Sequence, residues 1–288
     1  MSALVFTLVL GTATPGGGFP VFGAAYAEAL GAGEPRLRIE TRNTKGSTEN
    51  VPLLEAGKLD LGLVAGELAS AALASPGTGL RIVAAMYSSP GMFVVPAGSP
   101  VRRISDLRGR PVVLGTQGSG LTVLGRTVLR SLEIPVEEIV LEKAADGPGL
   151  VQSGRAAALW GAGVGWPAFA AMASAGARFV GPDAGEIRRI LERNPALKPA
   201  TLPAGSYAGQ DAALPSVGSW SFVLARPDLP EEPGYLLARA LHRAEGALAA
   251  RLPQARETTA ANTVAAAPRA ELIHPGALKY FREAGIAR

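Results

Sequence analysis

The chain has 288 residues, of which 36 are Gly and 23 are Pro, and it contains no cysteine. Glycine and proline follow no G-X-Y period, which excludes collagen, and a hydrophobic content of 48% excludes a disordered chain. No apolar run reaches the roughly 18 residues that a membrane span needs. The absence of cysteine excludes disulfides and thiolate zinc sites. A net charge of +4, with no Lys/Arg cluster, excludes a nucleic-acid footprint.

The first half of the chain alternates strands and helices. The apolar segment 3–10 lacks a basic flank, so it predicts a buried parallel strand and not a signal peptide. Apolar side chains at helical spacing predict a helix over 19–30. A second helix is predicted at 47–57, with Ser47 or Thr48 near its N-cap. The other predicted elements of this half are strands at 37–41, 59–64, 81–87 and 93–96.

A second set of alternating elements follows, and its members are strands at 111–114, 139–141, 156–160 and 177–180 and helices at 121–132, 146–154 and 167–175. After the Pro- and Gly-rich residues 196–217, the pattern predicts a strand at 219–225, a long helix through 236–248 and a last helix at 277–284. Repeated βα units predict parallel sheets. Two sets of them predict an α/β fold with two lobes.

The order of the elements also predicts how the two lobes are connected. We expect the chain to leave lobe one near Phe93 and to return near Trp220. Lobe one is then discontinuous, with residues 1–92 and 221–288, and lobe two spans 93–220. The two crossover strands would form a hinge.

Three segments place glycines between a strand and a helix, namely Gly11–Phe19, Thr44–Asn50 and Gly115–Gly120. Glycine lets the backbone approach a ligand, and the first N–H groups of the following helix point into the gap. Together with Ser and Thr hydroxyls, these groups can bind a carboxylate. None of the segments matches a P-loop or a dinucleotide fingerprint. A tight turn that requires glycine explains each segment on its own, whereas three together favour a ligand cleft between the lobes.

Taken in order, these motifs resemble a known family, the TAXI group of extracytoplasmic solute receptors, which serve one class of TRAP transporters. The likeness covers nearly the whole chain. The segments that show it are Leu10–Gly23, Thr44–Leu63, Gly115–Gly120, Pro203–Glu232 and Ile273–Phe281. It implies a type II periplasmic-binding fold. It also implies capture of a small organic anion outside the cytoplasm and delivery to the membrane components of a transporter. A periplasmic or extracytoplasmic protein would have a leader that this sequence does not contain.

The chain departs from the family pattern at Lys45, at Leu121 and in the stretch Trp160–Trp166. The two tryptophans predict an aromatic wall beside the ligand, although core packing explains them equally well. We therefore expect an aromatic or apolar carboxylate, with a dicarboxylate or a glutamate-like amino acid as the other interpretation. The predicted ligand-binding residues are Gly17, Gly18, Phe19, Lys45, Ser47, Thr48, Gln117, Gly118, Ser119, Gly120, Trp160, Trp166, Tyr207 and Gln210.

The sequence favours a binding protein over an enzyme. His242 and His274 are far apart and lie in no acidic or cysteine cluster, so no metal site is expected. No Gly-x-Ser-x-Gly elbow is present, and Glu49 is the only carboxylate near the predicted cleft loops. We expect a monomer without a cofactor. Two other classes stay open: a dehydratase or lyase on the same fold, and a cytoplasmic ligand-sensing domain.

Overall fold

The structure is a computed structural model that describes residues 4–288. The chain separates into two compact units. Unit one lies within Met1–Ala13, Phe19–Tyr87 and Trp220–Arg288, and unit two comprises Thr14–Gly18 and Ser88–Ser219. The short segment Thr14–Gly18 falls in the predicted first lobe but clusters with unit two.

The described chain forms twelve strands and ten α-helices. The strands are β1 (Phe6–Gly11), β2 (Leu37–Arg42), β3 (Leu61–Val64), β4 (Arg81–Ser88), β5 (Gly91–Val95), β6 (Pro111–Thr116), β7 (Glu137–Leu141), β8 (Ala158–Ala162), β9 (Arg178–Val180), β10 (Lys198–Leu202), β11 (Leu214–Gly218) and β12 (Trp220–Ala225). The helices are α1 (Gly18–Gly33), α2 (Ser47–Glu55), α3 (Gly66–Ala74), α4 (Gly120–Ser131), α5 (Gly147–Gln152), α6 (Pro167–Ser174), α7 (Ala184–Arg193), α8 (Glu231–Arg251), α9 (Ala260–Ala266) and α10 (Pro275–Glu283).

Unit one is built on a five-stranded sheet with the order β2-β1-β3-β12-β4. Strand β1 runs parallel to β2 and to β3, as the βα pattern predicts. Strand β12 runs antiparallel to β3, which corrects the expectation of a purely parallel sheet. A parallel pair needs a crossover connection, whereas β12 follows β11 directly and has no preceding crossover helix in this unit.

Both faces of this sheet are covered by apolar side chains. Successive residues of a strand point to opposite faces, and β12 shows this clearly. Its Val223 belongs to a buried cluster with residues of α1 and α8, while its Phe222 belongs to another cluster with residues of α2 and α3. Coverage on both faces explains why the strands read as nearly continuous apolar runs in the sequence.

Unit two has a second five-stranded sheet with the order β7-β6-β8-β5-β9, and β10 and β11 form a separate antiparallel pair. Strand β6 runs parallel to β7 and to β8, while β5 runs antiparallel to β8 and to β9. One face packs against α4 and α7, and the other packs against α5 and α6. This unit is therefore also a covered α/β sheet.

Several elements differ from the sequence prediction. Helix α2 has Gly46 as its N-cap, not Ser47 or Thr48, and Gly46 adopts a φ of 103°. Helices α3, α7 and α9 and the pair β10–β11 were not predicted. Helix α7 carried a usable signal, since Asp183 and Glu186 form a reciprocal capping box at its start. The predicted first strand begins at Ala3, which lies outside the described residues.

Candidate functional site

We use the name first loop group for residues 12–13, 43–48 and 65–67 of unit one. These residues follow β1, β2 and β3, whose carboxyl ends lie at the same edge because the three strands are parallel. Hydrogen bonds join the loops to one another. The Thr12 amide and hydroxyl both donate to the Arg42 carbonyl, at 2.9 and 3.1 Å, and the Thr44 hydroxyl donates to the Thr12 carbonyl at 3.2 Å. The group is thus internally cross-linked.

Asn50 anchors the first loop group from below. Its side chain is fully buried. Its Nδ2 donates to the carbonyls of Thr12 and Leu63, both at 2.8 Å, and more weakly to Gly11 at 3.3 Å. One amide group therefore holds the ends of β1 and β3. The sequence prediction did not include Asn50 among the site residues, although it lies in the Thr44–Asn50 motif.

Ser47 does not cap α2 but joins two loops of the first loop group. It is the first residue of α2, and its Oγ accepts a hydrogen bond from the Ala65 amide at 3.0 Å. This bond ties the start of α2 to the loop after β3. The hydroxyl keeps its own proton for donation, but the residue is fully buried.

Lys45 and Thr48 are the exposed members of this group that the sequence predicts as ligand contacts. The Lys45 amide donates to Oε2 of Glu49 at 2.5 Å, so Glu49 serves the start of the helix. No carboxylate within residues 4–288 lies within salt-bridge distance of the Lys45 ammonium. The first loop group thus presents one uncompensated cation at its surface.

The second loop group consists of residues 14–18, 116–120 and 163–166 of unit two. At its centre is the turn between β6 and α4. Gly115 and Gly118 have φ values of 117° and 81°, which glycine adopts readily. Ser119 is the N-cap of α4, and its Oγ accepts from the Leu121 amide at 3.1 Å. Ser119 therefore acts as a helix cap, and its hydroxyl proton remains available for donation.

The turn after β6 is held from behind by Thr122. The Thr122 hydroxyl lies 2.8 Å from the Thr116 carbonyl and 3.2 Å from the Leu114 carbonyl. A Cβ at Gly115 would lie only 2.9 Å from that hydroxyl oxygen, so only glycine fits there. In front of this support, Gln117 is exposed, Gly118 and Ser119 are half-buried, and Gly120 is buried.

The segment 14–18 forms a second glycine turn in this group. The Gly17 amide donates to the Thr14 carbonyl at 3.2 Å, and Gly16 has a φ of 84°. A Cβ at Gly16 would lie 3.3 Å from the Ala145 amide nitrogen, so the turn passes close to the loop after β7. Gly17, Gly18 and Phe19 are half-buried.

The structure packs both predicted tryptophans into the core of unit two. Trp160 has no exposed surface, lies 4.8 Å from the Phe93 ring, and donates its indole N–H to the Leu121 carbonyl at 2.8 Å. Trp166 is 6% exposed and packs edge-on against Phe169. In this structure neither indole offers a face to a ligand.

Tyr207 and Gln210 are also buried, and their polar atoms are engaged within unit two. The Tyr207 hydroxyl donates to the Gly163 carbonyl at 2.9 Å and accepts from the Trp166 amide at 3.0 Å. Burial raises the pKa of this hydroxyl well above its ordinary value. The Gln210 side chain accepts from the Ser206 amide at 3.0 Å and donates to the Ala212 carbonyl.

The second loop group offers neutral donors, whereas the first loop group carries the exposed cation Lys45 and the carboxylate Glu67. Their other polar groups are hydroxyls, glycine backbone and the carboxamides of Asn43 and Gln117, and the neighbouring Glu49 accepts from the Lys45 amide. Residues 4–288 contain no cluster of His, Cys, Asp or Glu that could hold a metal ion. Such a donor set suits a small anion, because amide N–H and O–H groups can replace the water around a carboxylate.

Comparison with solved structures identifies the fold. The chain resembles MatC from Rhodopseudomonas palustris with bound malate, at a TM-score of 0.62 and 13% identity over 96% of this chain and 95% of that one. It also resembles the periplasmic aliphatic sulphonate binding protein SsuA from Escherichia coli, at 0.52 and 19% over 99% and 94%. The effector-binding domain of QuiR in complex with shikimate matches at 0.56 and 11% over 84% and 98%.

These structures share the type II periplasmic-binding-protein fold, and the predicted fold class is confirmed. No helix within residues 4–288 combines the length and the apolar character that crossing a bilayer requires. The sequence profile of the NMT1-like family matches residues 10–285, which is nearly the whole chain. The chain therefore belongs to the NMT1-like family and has the fold of solute-binding proteins.

Proposed function

We propose that the protein is an extracytoplasmic solute receptor that captures a small organic carboxylate. The observation that carries the proposal is the turn at Gly118–Gly120. There the Ser119 hydroxyl keeps its proton for donation and lies at the start of a twelve-residue helix, in half-buried, glycine-rich backbone. Anions bind well at such helix starts because N–H groups and the helix dipole both favour negative charge.

Lys45 is the charged side chain that we assign to ligand binding in unit one. It is the exposed cation of the first loop group, and its own amide is already bonded to Glu49. Direct contacts to the ligand are assigned to Gly17, Gly18, Phe19, Lys45, Thr48, Gln117, Gly118, Ser119 and Gly120. Ser47, Trp160, Trp166, Tyr207 and Gln210 would support these loops, since all five side chains are buried.

The packing of the tryptophans removes the main reason for preferring an aromatic ligand. We therefore give equal weight to three ligand classes: an aromatic or apolar carboxylate, a dicarboxylate and a glutamate-like amino acid. MatC was solved with bound malate, which is a dicarboxylate. Phe19 is the half-buried aromatic side chain that an apolar ligand could contact.

Delivery to a membrane transporter is the second part of the proposal. Its support is the resemblance of the loop motifs to the TAXI receptors of TRAP transporters. In a receptor of this kind, ligand binding shifts the population toward a closed state that the transporter recognises. The test is transport of the bound acid into vesicles that contain the candidate membrane components, with and without this protein.

Binding itself is tested by thermal unfolding with malate, glutamate, phenylacetate and hexanoate at millimolar concentrations. A ligand at a hundred times its Kd stabilises the folded state by about 2.7 kcal/mol. The variant Ser119→Ala should lose about 1 kcal/mol of stability without ligand. It should also weaken binding of the responding acid about tenfold, which corresponds to the loss of one charge-assisted hydrogen bond.

Thr259→Ala is the matched control for this variant. Thr259 also caps its helix, α9, with a side-chain hydroxyl, since its Oγ accepts from the Asn262 amide at 3.0 Å. It should lose a similar amount of stability and keep the affinity of the native protein. Failure of all four acids to stabilise the native protein would overturn the receptor function, and unchanged affinity in Ser119→Ala would remove Ser119 from the site.

A ligand-sensing domain is the second candidate function. It is favoured by the likeness to the effector-binding domain of QuiR, which was solved with shikimate. Expression of the native gene with fractionation of the cells distinguishes the two: a receptor is found outside the cytoplasm, whereas a sensor stays inside it.

A further inference from the structure

The loop between β10 and β11 is organised around one buried glutamine. Gln210 is 5% exposed, and its side-chain oxygen accepts from the Ser206 amide at 3.0 Å. Its backbone also closes the loop, since its carbonyl accepts from the Gly205 amide at 2.7 Å and its amide donates to the Tyr207 carbonyl at 3.1 Å. The loop is therefore a self-bonded unit, and Tyr207 is the aromatic side chain that it places in the core.

Tyr207 inserts its ring into an aromatic cluster of unit two. The ring stacks on Phe179 with centroids 5.1 Å apart and meets Phe169 edge-on at 5.6 Å. Phe169 in turn packs against Trp166 at 4.9 Å. These contacts fix the ring, because a buried aromatic pair restricts both torsion angles of the side chain. The hydroxyl is then held at one place.

That place is the turn Gly163–Trp166, which follows β8. The hydroxyl donates to the carbonyl at the start of the turn, on Gly163, and accepts from the amide at its end, on Trp166. Gly163 and Gly165 have φ values of 83° and 73°. The turn thus contains two left-handed glycines, and one hydroxyl bridges its ends. The proton and the acceptor capacity of Tyr207 are already used.

The turn lies at the carboxyl end of β8, which runs parallel to β6. The carboxyl ends of neighbouring parallel strands meet at one edge of the sheet, and ligands of α/β proteins bind at that edge. The Gly163–Trp166 turn and the Gly118–Gly120 turn therefore belong to the same edge of unit two. In the Gly163–Trp166 turn the first amide is also bonded within the protein, since the Gly163 amide donates to the Pro90 carbonyl at 3.0 Å.

We propose that Tyr207 is a positioning residue that fixes the Gly163–Trp166 turn as one wall of the ligand site and does not itself touch the ligand. This inference rests on the proposed receptor function. It changes the role predicted from the sequence, where Tyr207 was a ligand contact. It also explains the role of the loop between β10 and β11, since that loop positions the Tyr207 hydroxyl at the turn.

The test uses Tyr207→Phe in the full chain, which keeps the ring and removes only the hydroxyl. Hydrogen–deuterium exchange of the ligand-free protein is followed in peptides that cover 161–168. We expect the Trp166 amide and its neighbours to exchange about threefold to tenfold faster, as the loss of one hydrogen bond implies. The affinity for whichever of malate, glutamate, phenylacetate and hexanoate binds the native protein should fall by a similar factor.

Tyr26→Phe is the matched control. Tyr26 is another buried tyrosine, and its hydroxyl has no hydrogen-bond partner among the described residues. Its removal should leave both the exchange of 161–168 and the affinity unchanged. A residue with only a structural role would lower thermal stability and leave the affinity intact.

The outcomes separate the two proposals. Unchanged exchange in Tyr207→Phe overturns the positioning role. Faster exchange with unchanged affinity overturns the assignment of the turn to the ligand site. If none of the four acids binds the native protein, the receptor function fails, and the exchange experiment still decides whether Tyr207 holds the turn.

Discussion

Substituting Trp160 by phenylalanine tests most directly whether this residue belongs to the core or to the ligand site. The indole has no exposed surface and donates to the Leu121 carbonyl at 2.8 Å. A Cβ at Gly125 would lie 2.8 Å from its Cδ1, and a Cβ at Gly91 would overlap its six-membered ring. The cavity around Trp160 is thus shaped to an indole, and phenylalanine leaves part of it empty.

The magnitude follows from these contacts. Phenylalanine has roughly three fewer heavy atoms, and at about 0.8 kcal/mol for each buried group their loss costs about 2 kcal/mol. The lost hydrogen bond to the Leu121 carbonyl adds about 1 kcal/mol. Trp160→Phe should therefore lower the free energy of unfolding by about 3 kcal/mol, while the affinity for a bound carboxylate changes less than twofold.

Urea unfolding followed by far-ultraviolet circular dichroism measures the stability, and calorimetric titration measures the affinity. Trp220→Phe is the control, because Trp220 is half-buried and should lose about 1 kcal/mol or less. The core assignment is refuted if Trp160→Phe keeps the native stability within about 0.5 kcal/mol and binds the acid markedly more weakly.

Two further predictions concern buried polar side chains of unit one. Asn50→Leu removes the amide that donates to three carbonyls and should lower the free energy of unfolding by about 3 kcal/mol. Asn50→Asp should lose more stability at pH 8 than at pH 4, because a carboxylate beside carbonyl oxygens resists ionisation. Urea unfolding of both variants and the native protein at the two pH values measures these losses, and equal losses for the two variants at both pH values would show that the amide contributes nothing. Burial lowers the pKa of His274 below its ordinary value of 6.5, so the folded state binds its proton less readily than the unfolded state, and stability should fall as the pH drops below about 6.5. His274→Asn should flatten that slope, and a slope equal to that of the native protein would contradict the assignment.

Local features of the site were predictable because they depend on neighbours in the sequence. Ser119 before an apolar stripe predicts an N-cap, and the structure confirms it. The stripe at 121–132 predicts α4 within one residue at each end. Glycines between strand and helix predict turns, and Gly115 and Gly118 do adopt left-handed conformations.

Features that depend on distant residues were not predictable in this way. Ser47 looks like a helix cap, yet its hydroxyl accepts from Ala65, which belongs to another loop. Gly46 takes the cap position because its φ of 103° suits glycine. The antiparallel direction of β12 is likewise set by the path of the chain between the two units, and its apolar sequence carries no sign of it.

The high glycine content has a second cause besides the turns between strands and helices. Gly91 and Gly125 lie against Trp160, and Gly161 lies so close to Trp166 and Phe169 that an added Cβ would overlap both rings. These glycines make room for large aromatic side chains inside unit two, which is why the tryptophans could become core residues. A tryptophan beside glycines in the sequence is therefore weak support for an aromatic ligand. The proposal for unit two consequently depends on the turn at Ser119, where the residues before the helix are glycine-rich and half-buried and the hydroxyl keeps its proton for donation.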